Sequence, residues 1–282
     1  MTTHLAGTEL LEALEEGRLR VAERASDGTW QVHAWIKTAI LKMFSESDAW
    51  PQTWPRVDVG DEELRITGKR NVATYPSSFV DKYPFTPRSF TAAHKVRIVP
   101  GGTSVRRGSH LGRGVVCMPP SYVNVGAYVG EGTMIDSHAL VGSCAQIGKH
   151  VHLSAGAQIG GVLEPAGARP VIVEDDAFIG GNTGLYEGVL VRKGAVIAAG
   201  VVLAGSTVVF DVVNECELRG TREAPLEIPE RAVVVPGTRP ITKDGVANGW
   251  AMRRGVQIAC GVIVKYRDEK TDRSTALEQS LR

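Results

Sequence analysis

With 282 residues, a formal net charge of +1, 43% hydrophobic and 22% charged residues, the chain can bury a large core and has no global field to draw it to nucleic acid or an anionic membrane. Cys117, Cys144, Cys216 and Cys260 stand far apart without a CxxC pair, which argues against a disulfide framework or zinc ribbon and for reduced thiols. Met1 to Arg20 carries Glu9, Glu12, Glu15 and Glu16 in place of a signal peptide, and no apolar run approaches the ~18 residues of a membrane span, so a cytoplasmic, unanchored protein is expected.

The first region, residues 1–95, reads as a helical domain. Leu10, Leu11 and Leu14 make a short amphipathic stripe. Val32, Trp35, Ile36, Ala39, Ile40 and Met43 then recur at three- and four-residue spacing, which predicts a second helix. Thr29 is placed to cap it, and Trp50-Pro51 to Trp54-Pro55 to end it. Trp30 and Trp35 read as core.

From Val99 the period becomes six. Val99, Val105, Leu111, Cys117, Val123, Val129, Ile135, Val141, Ile147, Leu153 and Ile159 are all apolar, each six residues after the last. Four residues after each stands a small or β-branched residue, from Thr103 and Ser109 to Ala145 and Ala157, with Leu163 closing the series. Gly112, Gly130, Gly142, Gly148 and Gly160 follow the aliphatic position directly. After an interruption at Glu164 to Pro170 the register resumes at Val173, Ile179, Leu185, Val191, Ile197 and Leu203. Neither a strand nor a helix has this period. A short flat strand followed by a tight turn does, and three such faces close a triangular coil of eighteen residues with the aliphatic side chains stacked inside. Glycines at the corners are expected to supply turn conformations that a Cβ resists.

This prism is expected over residues 96–210, its register dissolving beyond Val208. Residues 211–282 read as a small β cap, with strands at Val233 to Val235 and Ile258 to Tyr266, a turn at Lys243-Asp244-Gly245, and a charged tail from Asp268 to Arg282. The cap covers an open coil end that would otherwise expose strand edges.

The pattern resembles the left-handed β-helix acyltransferases. More narrowly, Tyr122 to Asp136 (YVNVGAYVGEGTMID), Val141 to Leu153 (VGSCAQIGKHVHL), Ile159 to Pro165 (IGGVLEP), Lys243-Asp244-Gly245 and Ala259 to Lys265 are similar to the tetrahydrodipicolinate N-succinyltransferase family, from about Trp30 onward. The fold class that follows is mainly β: a left-handed parallel β-helix with an N-terminal α-helical domain and a C-terminal β cap. The resemblance implies an acyl-CoA-dependent N-acyltransferase that passes a succinyl or acetyl group to the amine of a tetrahydrodipicolinate- or 2-aminopimelate-like acceptor by direct attack in a ternary complex. It implies a homotrimer with active sites shared between subunits, acyl-CoA as co-substrate, no permanently bound cofactor and no metal.

By the same resemblance Asp136 matches the aspartate that meets the substrate amine, Arg97 the arginine that meets a substrate carboxylate, and Glu187 a second, less central glutamate. Gly161, Gly181, Ala199 and Lys243 are expected along the CoA groove, and the loop at Glu164 to Pro170 near the amino-acid substrate. The chemistry suits these residue types. An amine must lose a proton before it attacks a thioester, the oxyanion wants backbone N–H donors such as those of Gly180-Gly181, and a dicarboxylate wants arginine forks. On position alone, Asp136 is equally well a turn residue with a solvated carboxylate.

Two departures fall inside this site. Where the family has Ala-Arg-Ser-Glu after Phe-Ile-Gly, this chain has Gly181-Asn182-Thr183-Gly184, so Gly184 takes the place of a glutamate at the reaction centre. Where the family has Asp-Thr-Trp, this chain has Asp136-Ser137-His138. His138 is then either a replacement base or a polar outward residue. The departures raise an acetyl-CoA-using paralogue of the tabtoxin-biosynthesis type as an alternative, and Gly184 raises an inactive scaffold. His110, His138, His150 and His152 raise a γ-type carbonic anhydrase with zinc between subunits. His150 and His152 are expected on opposite sides of one strand, one at the surface and one between subunits.

Overall fold

The computed structural model describes residues 5–53, 78–243 and 246–268. Trp54-Pro55, Asp244-Gly245 and the tail beyond Asp268 lie outside them, and no helix among the described residues is long and apolar enough to cross a membrane.

Three parallel sheets form the walls of a prism. Sheet I stacks His110–Leu111, Tyr128–Val129, Gln146–Ile147, Ile172–Val173, Leu190–Val191 and Glu227–Ile228. Sheet II runs from Arg97–Ile98 through Val116–Cys117, Met134–Ile135, His152–Leu153, Phe178–Ile179 and Val196–Ile197 into the cap. Sheet III stacks Ser104–Val105, Tyr122–Val123, Leu140–Val141, Gln158–Ile159, Gly184–Leu185 and Val202–Leu203. In each two-residue strand the second side chain points inward. Cys117, Ile135, Leu153, Ile179 and Ile197 are wholly buried, each such burial contributing about 1.5–3 kcal/mol.

The register departs from expectation at three places. Ile98, not Val99, pairs with Cys117; Pro100-Gly101-Gly102 leaves one residue too many in the first coil. At the interruption, Ile147 pairs with Val173, eight residues beyond a regular coil, and Val171, not Leu163, fills the small buried position while Leu163 packs against the N-terminal core. Beyond Val208 the register does not end: Ile228 pairs with Val191 and Val234 with Ile197, so the walls resume after a long excursion. The cap then grows from sheet II as the hairpin Ala232–Pro240 with Gln257–Tyr266, joined by Val209–Asp211 and Cys216–Leu218.

The corner glycines act differently from expectation. Gly112, Gly130, Gly142, Gly148 and Gly160 are not left-handed; a Cβ on Gly142 would lie 2.2 Å from the Gly161 nitrogen of the next coil. They permit close stacking. The left-handed residue comes two positions later, as Gly114, Gly126, Gly132 and Gly156, or as His138, Cys144, His150, Asp176 and Asn182.

The N-terminal region packs on sheet I and the corner between III and I. Helix α1 (Gly7–Glu15) buries Leu10, Leu11 and Leu14. Val32 and Trp30 belong to a strand paired with Ala22–Arg24, not to the second helix. Helix α2 is Ala34–Glu46, with His33 at its N-cap position making no side-chain cap bond, and ends before Ser47. Thr29 bonds Asp27 in the preceding turn instead, because the hairpin needs that turn. Trp50-Pro51 lies in a strand, Ala49–Thr53, paired with Ser78–Lys82.

His110 joins α1 to the prism. Its ring stacks on Tyr128 at 4.5 Å, and Nδ1 is 2.9 Å from the Glu15 carbonyl oxygen. Burial lowers its pKa from 6.5, with Arg88 and Arg20 adding to the effect. The unfolded chain therefore holds more protons just below pH 6.5, and stability falls as pH drops through that value. Urea midpoints measured from pH 7.5 to 5 should fall for the wild type and vary less for His110→Gln.

Candidate active site

Apart from Arg97 and Lys243, the site residues named from sequence sort onto two edges of sheet III. The edge between II and III carries Asp136, His138, Gly181 and Ala199. Asp136 follows Met134–Ile135, is half-buried, and its Oδ1 accepts from the Ser137 amide at 2.7 Å. His138 is exposed at a left-handed turn position (φ 62°). Its amide donates to the Pro120 carbonyl at 2.6 Å, and its own carbonyl accepts from Gln158 Nε2 at 3.1 Å. Gly181 and Ala199 lie further along the same edge, the Gly181 carbonyl accepting from the Gly200 amide at 2.9 Å. Of the paired glycines expected to stabilise an oxyanion, Gly180 spends its N–H on the Ile197 carbonyl at 2.7 Å. Among the described residues only the Gly181 N–H of that pair stays uncommitted.

Arg97 is exposed in the first strand of sheet II, in register with Val116 and then Met134. Two strand spacings of ~4.8 Å put it about 10 Å below Met134 along the prism, with Asp136 two residues beyond that register.

The other edge, between III and I, carries Gly161 and Glu187. Glu187 is exposed with φ 53°, and its Oε2 accepts from the Gly205 amide at 3.1 Å. One face of about six residues, roughly 15–20 Å at ~3.3 Å per residue, separates this edge from Asp136. A single chain therefore does not bring Glu187 to Asp136.

The loop leaving the III/I edge is pinned from three sides. Lys37 of α2, wholly buried, donates through Nζ to the Ala168 carbonyl at 2.8 Å and the Pro165 carbonyl at 3.3 Å. Arg169 donates to the Gly188 carbonyl at 2.9 Å and the Pro225 carbonyl at 2.7 Å, and pairs with Glu227. Neither Lys37 nor Arg169 stood out in the sequence: a lysine beside an apolar stripe reads as solvent-facing.

Lys243 lies in the short strand Thr242–Lys243, paired with Val246–Ala247 in the cap. The histidines are dispersed: His110 on sheet I, His138 on the II/III edge, His150 at a left-handed turn, and His152 on sheet II. His150 is therefore not in the strand of His152, whose buried ring stacks on Phe178 at 5.0 Å. Among the described residues no group of three or more His, Cys, Asp or Glu is placed to hold a metal. A polar cleft of about 410 Å³ between α1 and the lowest coils is lined by Glu12, Glu15, Arg88, His94 and Arg107, and holds none of the candidate site residues.

Residues 3–45 match the family model described as tetrahydrodipicolinate N-succinyltransferase N-terminal, and residues 170–204 that of the hexapeptide repeat of succinyl-transferase. Proteins named 2,3,4,5-tetrahydropyridine-2,6-dicarboxylate N-succinyltransferase are similar along nearly the whole chain. That of Bradyrhizobium diazoefficiens is 44% identical over 275 residues, that of Nitrobacter winogradskyi 45% over 280, and that of Acinetobacter baylyi 43% over 275; each match covers 97% of this chain and 88% of the relative.

Proposed function

The chain belongs to the tetrahydrodipicolinate N-succinyltransferase family, and from that premise we propose that it acylates 2,3,4,5-tetrahydropyridine-2,6-dicarboxylate, or its ring-opened amine, at active sites shared between the subunits of a homotrimer. It is an acyl-CoA N-acyltransferase on a left-handed parallel β-helix. The relatives lend nothing to a tabtoxin-type acceptor, which is set aside together with the carbonic anhydrase.

In the proposed reaction water adds to the ring C=N and opens it to an amino-oxo diacid, because the cyclic imine nitrogen has no proton to give up. The freed amine attacks the thioester carbonyl. A C–N bond forms, the C–S bond breaks, the amine proton passes to Asp136, and CoA leaves as its thiol. Arg97 holds the far carboxylate of the acceptor, and the Gly181 N–H faces the developing oxyanion. His138, exposed beside Asp136, relays the proton to the departing sulfur. Gly161, Gly181, Ala199 and Lys243 line the groove for the pantetheine arm. The donor is succinyl-CoA, and a CoA thioester places the reaction in the cytoplasm.

One observation carries the shared-site reading: Asp136 and Glu187, the two carboxylates assigned to the catalytic site, occupy opposite edges of sheet III. Packing the II/III edge of one prism against the III/I edge of the next closes the distance that one chain leaves open, and cyclic repetition of that contact closes a ring. Co-expressing Asp136→Asn chains with Glu187→Gln chains tests it. Each variant alone should be slow, and the hybrids should regain a fraction of wild-type thiol release, since some contacts pair two intact edges. Hybrids no faster than their parents would rule out sharing.

A further inference from the structure

Sheet III carries a feature to which the reaction above gives no role. From Leu140 upward, its outward side chains are Leu140, Gln158, Gly184 and Val202, and the corner residues that follow on the same rungs are Gly142, Gly160, Tyr186 and Ala204. None bears a charge. Gln158 is engaged, its Nε2 donating to the His138 and Gly156 carbonyls at 3.1 Å each. Tyr186 lies down across this surface. A Cβ on Gly184 would fall 2.5 Å from its ring and 3.0 Å from its hydroxyl oxygen, and a Cβ on Gly160 would fall 2.6 Å from the ring. Two glycines on adjacent rungs thus clear a bed for one phenol. The ring remains 36% exposed, and among the described residues its hydroxyl has no hydrogen-bond partner. It sits beside Glu187 and one residue from Gly161, on the edge assigned above to the shared cleft.

Resting on that assignment, we infer that Tyr186 determines donor specificity, its hydroxyl binding the terminal carboxylate of a dicarboxylic acyl-CoA. The surface suits such an arm: the uncharged side chains beside the ring, with Val202 exposed, give a floor for two methylenes, and the hydroxyl is a single donor. A hydroxyl offers a hydrogen bond without charge, and a bond to a carboxylate is of the stronger kind. A monocarboxylic acyl group such as acetyl ends short of it and gains nothing.

Tyr186→Phe keeps the ring on its glycine bed and removes only the oxygen, so the thermal midpoint should not move. Thiol release measured with succinyl-CoA and with acetyl-CoA should show kcat/KM falling about ten- to a hundredfold for succinyl-CoA and less than about threefold for acetyl-CoA. Gly184→Ala, which evicts the ring, should give the same donor-selective loss. Unchanged succinyl-CoA kinetics in Tyr186→Phe, an equal loss on both donors, or a wild type that prefers acetyl-CoA would overturn the assignment while leaving acyl transfer standing. A wild type inert with both donors would instead bring down the proposed function, and this inference with it.

Discussion

Asp136→Asn is expected to lower kcat by about 10²–10⁴-fold, the usual yield of a positioned proton acceptor, with affinity for the CoA thioester changed by less than about twofold. The amide has the shape of the carboxylate and keeps the oxygen that accepts from the Ser137 amide at 2.7 Å, so the turn should hold. What it cannot do is take the amine proton. The groove assigned to pantetheine runs on from Gly181 to Ala199, and among the described residues no hydrogen bond joins Asp136 to it, its Oδ1 being held by the Ser137 amide. Steady-state thiol release and equilibrium binding of CoA, each on Asp136→Asn and wild type, separate the two effects. Wild-type turnover would remove Asp136 from the chemistry; lost CoA binding would recast it as part of the groove.

Lys37→Met is expected to destabilise the protein by about 2 kcal/mol and to raise KM for the acceptor. Met replaces the stem of Lys37 at nearly equal volume, so no cavity opens. The loss is of two hydrogen bonds to the Pro165 and Ala168 carbonyls. The Pro165 carbonyl keeps the Ala168 amide at 2.9 Å, whereas the Ala168 carbonyl left unpaired costs about 1–3 kcal/mol, offset in part by no longer burying an ammonium. Burial holds the Lys37 amine below its ordinary 10.5. Between the two values the unfolded chain binds the extra proton, so the wild type's stability should climb with pH across that interval. The variant should lack the climb. Nearby Cys144, pushed up to about 12 by burial, stays a neutral thiol throughout. Urea midpoints against pH and amide exchange at residues 166–169 check both statements; exchange as slow as wild type would deny Lys37 its hold on the loop.

Much of this architecture can be read from the chain because an inward-pointing stack has only one way to repeat. Val105 to Ile159 and Val173 to Leu203 occupy the positions that their spacing predicts. The errors arise where the period is locally overruled. The extra residue around Pro100-Gly101-Gly102 shifts the inward position to Ile98, and the long excursion before Ile228 hides a last stretch of wall behind loop composition. Val32 has helical spacing yet lies in a hairpin, since pairing with Ala22 outweighs a weak local preference. The site was legible as residue types and not as an arrangement. Nothing in a six-residue period says that Asp136 and Glu187 face away from each other, or that two glycines 24 positions apart, Gly160 and Gly184, together seat one tyrosine.

The separation of the two edges has a thermodynamic corollary. Substitutions on opposite corners of one column share no neighbours, so their costs to folding should simply add, while in the proposed shared site their kinetic consequences meet only across the contact with another chain. Dilution should therefore silence turnover before it unwinds any column: shape belongs to the single polypeptide, and chemistry depends on its concentration.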